Sequence, residues 1–129
     1  MCIATADSIY RFTIATGKYT KHLLTGSGVA SFVLLKKSKG LVFIKHPTDP
    51  AQDFFLVRAK AAAGALWKIN AETFDTTELA TTGGAALPAG ASVTEVSENI
   101  YQRFQFLPQF DCVVYVPSYG ANAWVLRVL

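Results

Sequence analysis

Apolar and polar residues alternate along most of this chain with a period of two, the spacing of a β-strand with one covered face. Ser8-Ile9-Tyr10-Arg11-Phe12-Thr13-Ile14 is the clearest run, and Tyr19 to Thr25 returns from it after the turn Ala15-Thr16-Gly17-Lys18. Gly17 supplies the positive φ that such a turn needs. After the break Gly26-Ser27-Gly28, Val29 to Lys36 and Gly40 to Lys45 read as third and fourth strands around a Lys37-Ser38-Lys39 tip. His46 to Asp53 carries two prolines and two aspartates and is a loop. Phe54 to Arg58 and Leu66 to Ile69 are strands, and Asp75 to Thr82 returns after a turn at Ala71 to Phe74. Residues 83–98 form a long loop of small and polar residues. Ile100 to Leu107, a turn at Pro108 to Asp111, Cys112 to Val116, a loop at Pro117 to Ala121, and Ala123 to Leu129 complete the chain. No segment sustains a 3.6-residue period over ten residues. Helix is expected only as a turn or so near residues 59–64, where Ala59-Lys60-Ala61-Ala62-Ala63 precedes Gly64. The pattern predicts an all-β fold of antiparallel sheets.

The pattern also repeats in order. Ile9-Tyr10-Arg11-Phe12 and the Ala15-Thr16-Gly17 turn are similar to Leu66-Trp67-Lys68-Ile69 and Glu72-Thr73-Phe74, each followed by a Thr-rich return and a glycine break. Ser31 to Ile44 aligns without a gap on Arg103 to Val116, and Phe55-Leu56-Val57-Arg58 on Trp124-Val125-Leu126-Arg127. Two copies, residues 8–60 and 65–129, fit tandem antiparallel sheets within one domain. This order resembles a kelch or galactose-oxidase-like β-propeller. The end of the chain, Arg103-Phe104-Gln105-Phe106-Leu107-Pro108 with the Asp111 turn, Val113-Val114-Tyr115-Val116 and Ala123 to Val128, resembles the last blade of bacterial propellers. The resemblance implies propeller-like blades. It departs from the kelch pattern at Ile44-Lys45-His46-Pro47, where paired glycines are the rule. About two blades cannot close a ring of four or more. Each would leave an apolar sheet face open, so several chains assemble, or the sheets fold on one another as a compact sandwich or barrel, or the chain is a fragment of a larger protein.

Composition narrows the class. Of the 129 residues 51% are apolar and 16% charged, enough for a packed core and against disorder. The longest apolar runs, such as Cys112 to Val116, are too short to span a bilayer as helices, and no basic-then-apolar leader opens the chain. A soluble chain is expected. Residues 1–68 hold ten of the twelve Lys and Arg against three acids, net +7; residues 69–129 hold two against six, net −4. Such halves attract one another within a chain or between chains. Cys2 and Cys112 read as free thiols, the second a small core residue.

Candidate chemistry is sparse. His22 and His46 have no Cys, Glu or second His at ligand spacing and read as surface and loop residues. Asp49 and Asp53 bracket the proline loop, where a calcium ion would find two carboxylates but not the alternating ligands of a known calcium loop. Lys36-Lys37-Ser38-Lys39 is the sharpest basic cluster and reads as a charged hairpin tip, without the companion aromatics and arginines of a nucleic-acid surface. No phosphate loop, nucleophile elbow or zinc-protease motif is present, and nothing points to a cofactor. Tyr10, Phe12, Phe32, Phe43, Phe54, Phe55, Trp67, Phe104, Phe106, Tyr115 and Trp124 fall on core positions by alternation. Tyr101, Phe110 and Tyr119 fall near strand ends or in loops, and are the candidate ligand-binding residues.

The expected function is therefore a non-catalytic binding or assembly module of propeller type, with a glycan or protein ligand and a homo-oligomeric state. The competing expectation is an enzyme acting on polysaccharide through Asp49, Asp53, Glu95 or Glu98.

Overall fold

The computed structural model describes residues 2–4, 7–34, 39–59, 66–80, 104–117 and 122–128, and about 55% of them lie in strands. Three antiparallel sheets follow one another along the chain. The first contains β1 (Cys2–Ala4), β2 (Ser8–Thr13) and β3 (Lys18–Leu23). A short helix, α1 (Val29–Leu34), leads to the second sheet, made of β4 (Lys39–Ile44), β5 (Phe54–Ala59), β6 (Leu66–Asn70) and β7 (Thr76–Leu79). The third contains β8 (Phe104–Leu107), β9 (Cys112–Tyr115) and β10 (Trp124–Arg127). Within every sheet the strands lie side by side in chain order.

The second sheet is the middle layer. In β5, Phe55 and Val57 point to one side and Phe54 and Leu56 to the other, as the pleat requires. Phe55 and Val57 join Trp67 and Ile69 of β6 in a core with Ile9, Leu24, Phe32 and Phe74. Phe54 and Leu56 join Ile44 and Leu66 in a second core with Phe104, Val113 and Tyr115 of the third sheet. One face of the middle sheet therefore packs on α1 and the first sheet, and the other on the third. Each large apolar side chain so buried contributes about 1.5–3 kcal/mol. Of the eleven aromatic residues expected in the core, Phe32, Phe54, Phe55, Trp67, Phe104 and Tyr115 are buried there and Phe106 and Trp124 pack against it; Phe43 is 47% exposed, Tyr10 and Phe12 lie on the side of the first sheet away from Ile9, and Phe74, read as a turn residue, joins the core.

The sequence expected two repeated sheets and helix only near residues 59–64. The structure has three sheets, and its helix is α1, where a strand over Val29 to Lys36 was expected. Ala59 ends β5, and residues 60–65 lie outside the described residues. The reason lies just before the helix. Thr25 does not continue β3 but bridges in parallel to Asp75, with Thr76 N–H donating to Thr25 O at 2.7 Å and Gly28 N–H donating to Thr76 O at 2.9 Å. That crossing carries the chain across the start of β7, and residues 29–34 do not go on to pair along that strand. They coil instead, and Phe32 N–H bonds back to Gly28 O at 3.0 Å. Phe32 is fully buried with its ring edge-on to Trp67, and Ser31 Oγ accepts from Trp67 Nε1 at 3.1 Å and donates to Glu78 at 2.6 Å. The gapless alignment of Ser31 to Ile44 on Arg103 to Val116 thus sets a helix against β8 at its start and a strand against β9 at its end. The expected boundary between copies, residues 60–65, falls between β5 and β6, which are neighbours in one sheet.

Other expectations match closely. The β2–β3 turn has Gly17 at φ 65°. The Pro108 to Asp111 turn is a single 3-10 turn ending on Asp111 in the left-handed region, φ 49°. The loop over residues 83–98 lies outside the described residues.

The crossing at Gly28 generates a test. A Cβ there would sit 2.7 Å from Glu78 N and 2.8 Å from Thr77 C, both backbone atoms that cannot swing away. Gly28→Ala should destabilise the fold by about 1–3 kcal/mol in urea unfolding. A variant as stable as the parent would contradict this approach of the two segments.

Candidate functional site

The most organised polar region is the loop between β4 and β5. Asp49 caps a 3-10 turn over Pro50–Gln52, its Oδ1 accepting from Ala51 N–H at 3.0 Å and its Oδ2 from Gln52 Nε2 at 2.9 Å. His46 Nδ1 accepts from Asp49 N–H at 3.1 Å, so the neutral ring carries its proton on Nε2. Asp53 Oδ1 accepts from His46 N–H at 2.8 Å and closes the loop. The adjoining β6–β7 turn is tied on: Asn70 Nδ2 donates to Ala51 O at 2.9 Å and Ala71 N–H to Asp53 O at 2.9 Å. Asn70 Oδ1 also accepts from the N–H groups of Glu72 and Thr73. The Gln52 amide, then the Ala51 N–H, holds the Asp49 carboxyl below its ordinary pKa; desolvation opposes this, and nearby His46 adds a smaller pull downward.

This geometry bears directly on the candidate carboxylates. Asp49 uses both oxygens, and Asp53 one, to hold their own loop. Neither is placed as a member of a metal cluster, and among the described residues no group of three His, Cys, Asp or Glu side chains is placed to hold a metal ion. Glu95 and Glu98 lie outside the described residues. The sequence did not anticipate His46 as an acceptor for the loop backbone. The signal available was its position three residues before the aspartate that caps a Pro-Ala-Gln turn.

Of the three candidate ligand-binding residues, Phe110 is described. It projects from the β8–β9 turn and is 68% exposed. Tyr101 and Tyr119 lie outside the described residues, as do Lys36, Lys37 and Ser38 of the basic cluster; Lys39 begins β4.

Two further groups stand apart from this loop. His22, expected at the surface, is half-buried and stacks on Phe74 with ring centroids 4.3 Å apart. Phe74 sits at φ 61°, so the β6–β7 turn turns its ring toward the first sheet. Arg58 is fully buried, with its guanidinium carbon 5.3 Å from the centroid of the Tyr115 ring. Desolvation lowers its pKa from the ordinary arginine value, and Tyr115 works against that shift. Cys112 is a buried free thiol, as its strand position implied.

Among the described residues no helix is long and apolar enough to cross a membrane. Comparison with protein-family models, curated proteins and solved structures gives no match.

The Asp49 contacts set a pH dependence. Its folded pKa is depressed below the ordinary 3.8, so its stabilisation of the loop is present above that value and lost as pH falls through the lower folded one. In an NMR acid titration the Ala51 amide shift should follow Asp49 with a midpoint below 3.8, and Asp49→Asn should abolish that step. A midpoint at or above 3.8 would contradict the capping geometry.

Proposed function

We propose that this chain is a non-catalytic binding or assembly module of β-propeller type, taking a glycan or protein ligand at its loop ends. The observation that best supports the reading is the order of the sheets. Three antiparallel meanders follow one another in sequence, and the middle one is packed face to face with its neighbours through two apolar cores. Successive blades of a propeller are built on that plan. The copies then number three sheets rather than the two that sequence similarity suggested, with α1 in the first connection.

Phe110 supports a ligand at the loops. An exposed ring on a short, backbone-fixed turn offers a flat apolar surface at small entropic cost. The carboxylates that an enzyme acting on polysaccharide would need are, for Asp49 and Asp53, engaged with their own loop. The carbohydrate class itself rests on analogy with the fold.

A glycan array probed with the parent chain and Phe110→Ala tests this reading. The expected outcome is retention of a restricted set of glycans by the parent and at least a tenfold loss in the variant, about 1.4 kcal/mol. Retention of none, together with turnover in a polysaccharide hydrolase screen, would replace the binding reading with the enzymatic one.

A further inference from the structure

The loop between β4 and β5 is held in two halves, and each half depends on a side chain that can take up a proton. In the first half His46 Nδ1 accepts from Asp49 N–H at 3.1 Å, with Thr48 N–H 3.5 Å from the same atom. In the second half the Asp49 carboxylate accepts from Ala51 N–H and from the Gln52 amide. The β6–β7 turn grips this second half from outside, through Asn70 on Ala51 O and Ala71 on Asp53 O. Asp49 joins the halves, its N–H serving the first and its carboxylate the second. The His46 N–H is bonded to Asp53 Oδ1 at 2.8 Å, which fixes the backbone of residue 46 whatever its ring does.

A ring nitrogen accepts a hydrogen bond only while it carries no proton. Protonating the imidazole puts an N–H at Nδ1 directly opposite the Asp49 N–H, donor against donor, and that contact must break. Imidazole ordinarily takes up this proton between about pH 5 and 8, a carboxylate only in stronger acid. The charged groups nearby come from the loop and from the elements at the same end of the sheets. Lys45, Asp49 and Asp53 flank the ring in sequence. The β6–β7 turn adds Glu72 and Asp75, with Asp75 Oδ1 turned toward Gly26, and β6 adds Lys68, whose Nζ lies over the Phe54 ring. Tyr115 meets Arg58 at the far end, so the β8–β9 turn lies toward this one and brings Asp111, with Arg127 paired to Cys112 beside it. The Asp49 carboxylate interacts with the charge on the ring and is itself kept in place by Ala51 and Gln52.

We propose that the β4–β5 loop is a two-stage acid latch: protonation of His46 frees the N–H groups of Thr48 and Asp49 and releases residues 47–49, while residues 50–53 stay closed until the Asp49 carboxylate is protonated in turn. The first stage is set by the neutral ring. Its support for the loop is present at higher pH and lost as pH falls through the titration of the imidazole. The second half does not follow, because its anchors, the Asp49 carboxylate and the two contacts from the β6–β7 turn, are unchanged by a proton on His46. The latch is independent of what the domain binds.

Amide hydrogen exchange followed by NMR from about pH 8 to 5 tests the latch. The His46 ring is read at its Cε1 proton, identified by its absence from the spectrum of His46→Asn. As that ring protonates, protection of the Asp49 amide, corrected for the intrinsic exchange rate, should fall roughly tenfold or more, and protection of the Ala51 amide should hold. His46→Asn places an amide oxygen where Nδ1 stood and takes up no proton in this range, so its Asp49 amide should stay protected throughout. His46→Ala removes the acceptor and should leave that amide unprotected at both ends of the range. Three outcomes would overturn the proposal. They are titration of the His46 ring with Asp49 protection unchanged, loss of Ala51 protection in the same step, and a step that survives in His46→Asn. The first of these is read on the parent chain alone, so it stands even where a variant fails to fold.

Discussion

Everything in this molecule depends on the two-sided burial of strand β5. It has strands on both edges and a core on each face, so none of its positions from Phe54 to Arg58 reaches water. A strand in that place cannot alternate apolar with polar; it must be apolar throughout, and Phe-Phe-Leu-Val is. The one break, Arg58, shows what the constraint costs. Its charge is kept out of water against the face of Tyr115, and the arginine stem fills space that an aliphatic residue would otherwise take. The neighbouring row makes a milder version of the same arrangement, with Lys68 Nζ 4.5 Å from the Phe54 ring centroid. The two outer layers are positioned by what β5 and β6 present to them, since among the described residues each outer sheet shares its core with the middle one.

The sequence made the strands legible because local composition determines them, by alternation at Ser8 and by short runs of apolar, β-branched and aromatic residues elsewhere. The runs at Ser8, Phe54, Leu66 and Cys112 needed no distant information, and the turns at Gly17 and Asp111 were written in residues that tolerate a positive φ. What it concealed was nonlocal. Val29-Ala30-Ser31-Phe32-Val33-Leu34 has the β-branched and aromatic content of a strand, yet it is helical after the Thr25 crossing, with Phe32 in the core formed by distant strands. The three-residue β1 was invisible for the opposite reason, since Cys2-Ile3-Ala4 is too short to have a period.

The candidate site divides along the same line. Asp49 and Asp53 were readable as the ends of a loop, since proline and aspartate punctuate chains locally. Their use as hydrogen-bond acceptors for that loop was not readable, because a carboxylate that builds a turn and one that awaits a ligand have the same sequence. Phe110 was identified by its place in a turn, and its exposure agrees with that placement. His22 was taken for a surface residue because Lys21 and Leu23 beside it do face water; its contact, Phe74, is fifty-two positions away and oriented by a backbone angle that sequence rarely reveals in phenylalanine.

The parallel bridge between Thr25 and Asp75 has a kinetic meaning. It joins segments fifty residues apart, and a ribosome adding about 5–20 residues each second would take roughly 2–10 seconds to make the intervening chain. The β2–β3 hairpin is local and closes in microseconds. Ile9 and Leu24 must then wait for the middle sheet to be made before the core that buries them is complete. The interval is set by the sequence separation of the contacts rather than by their stability.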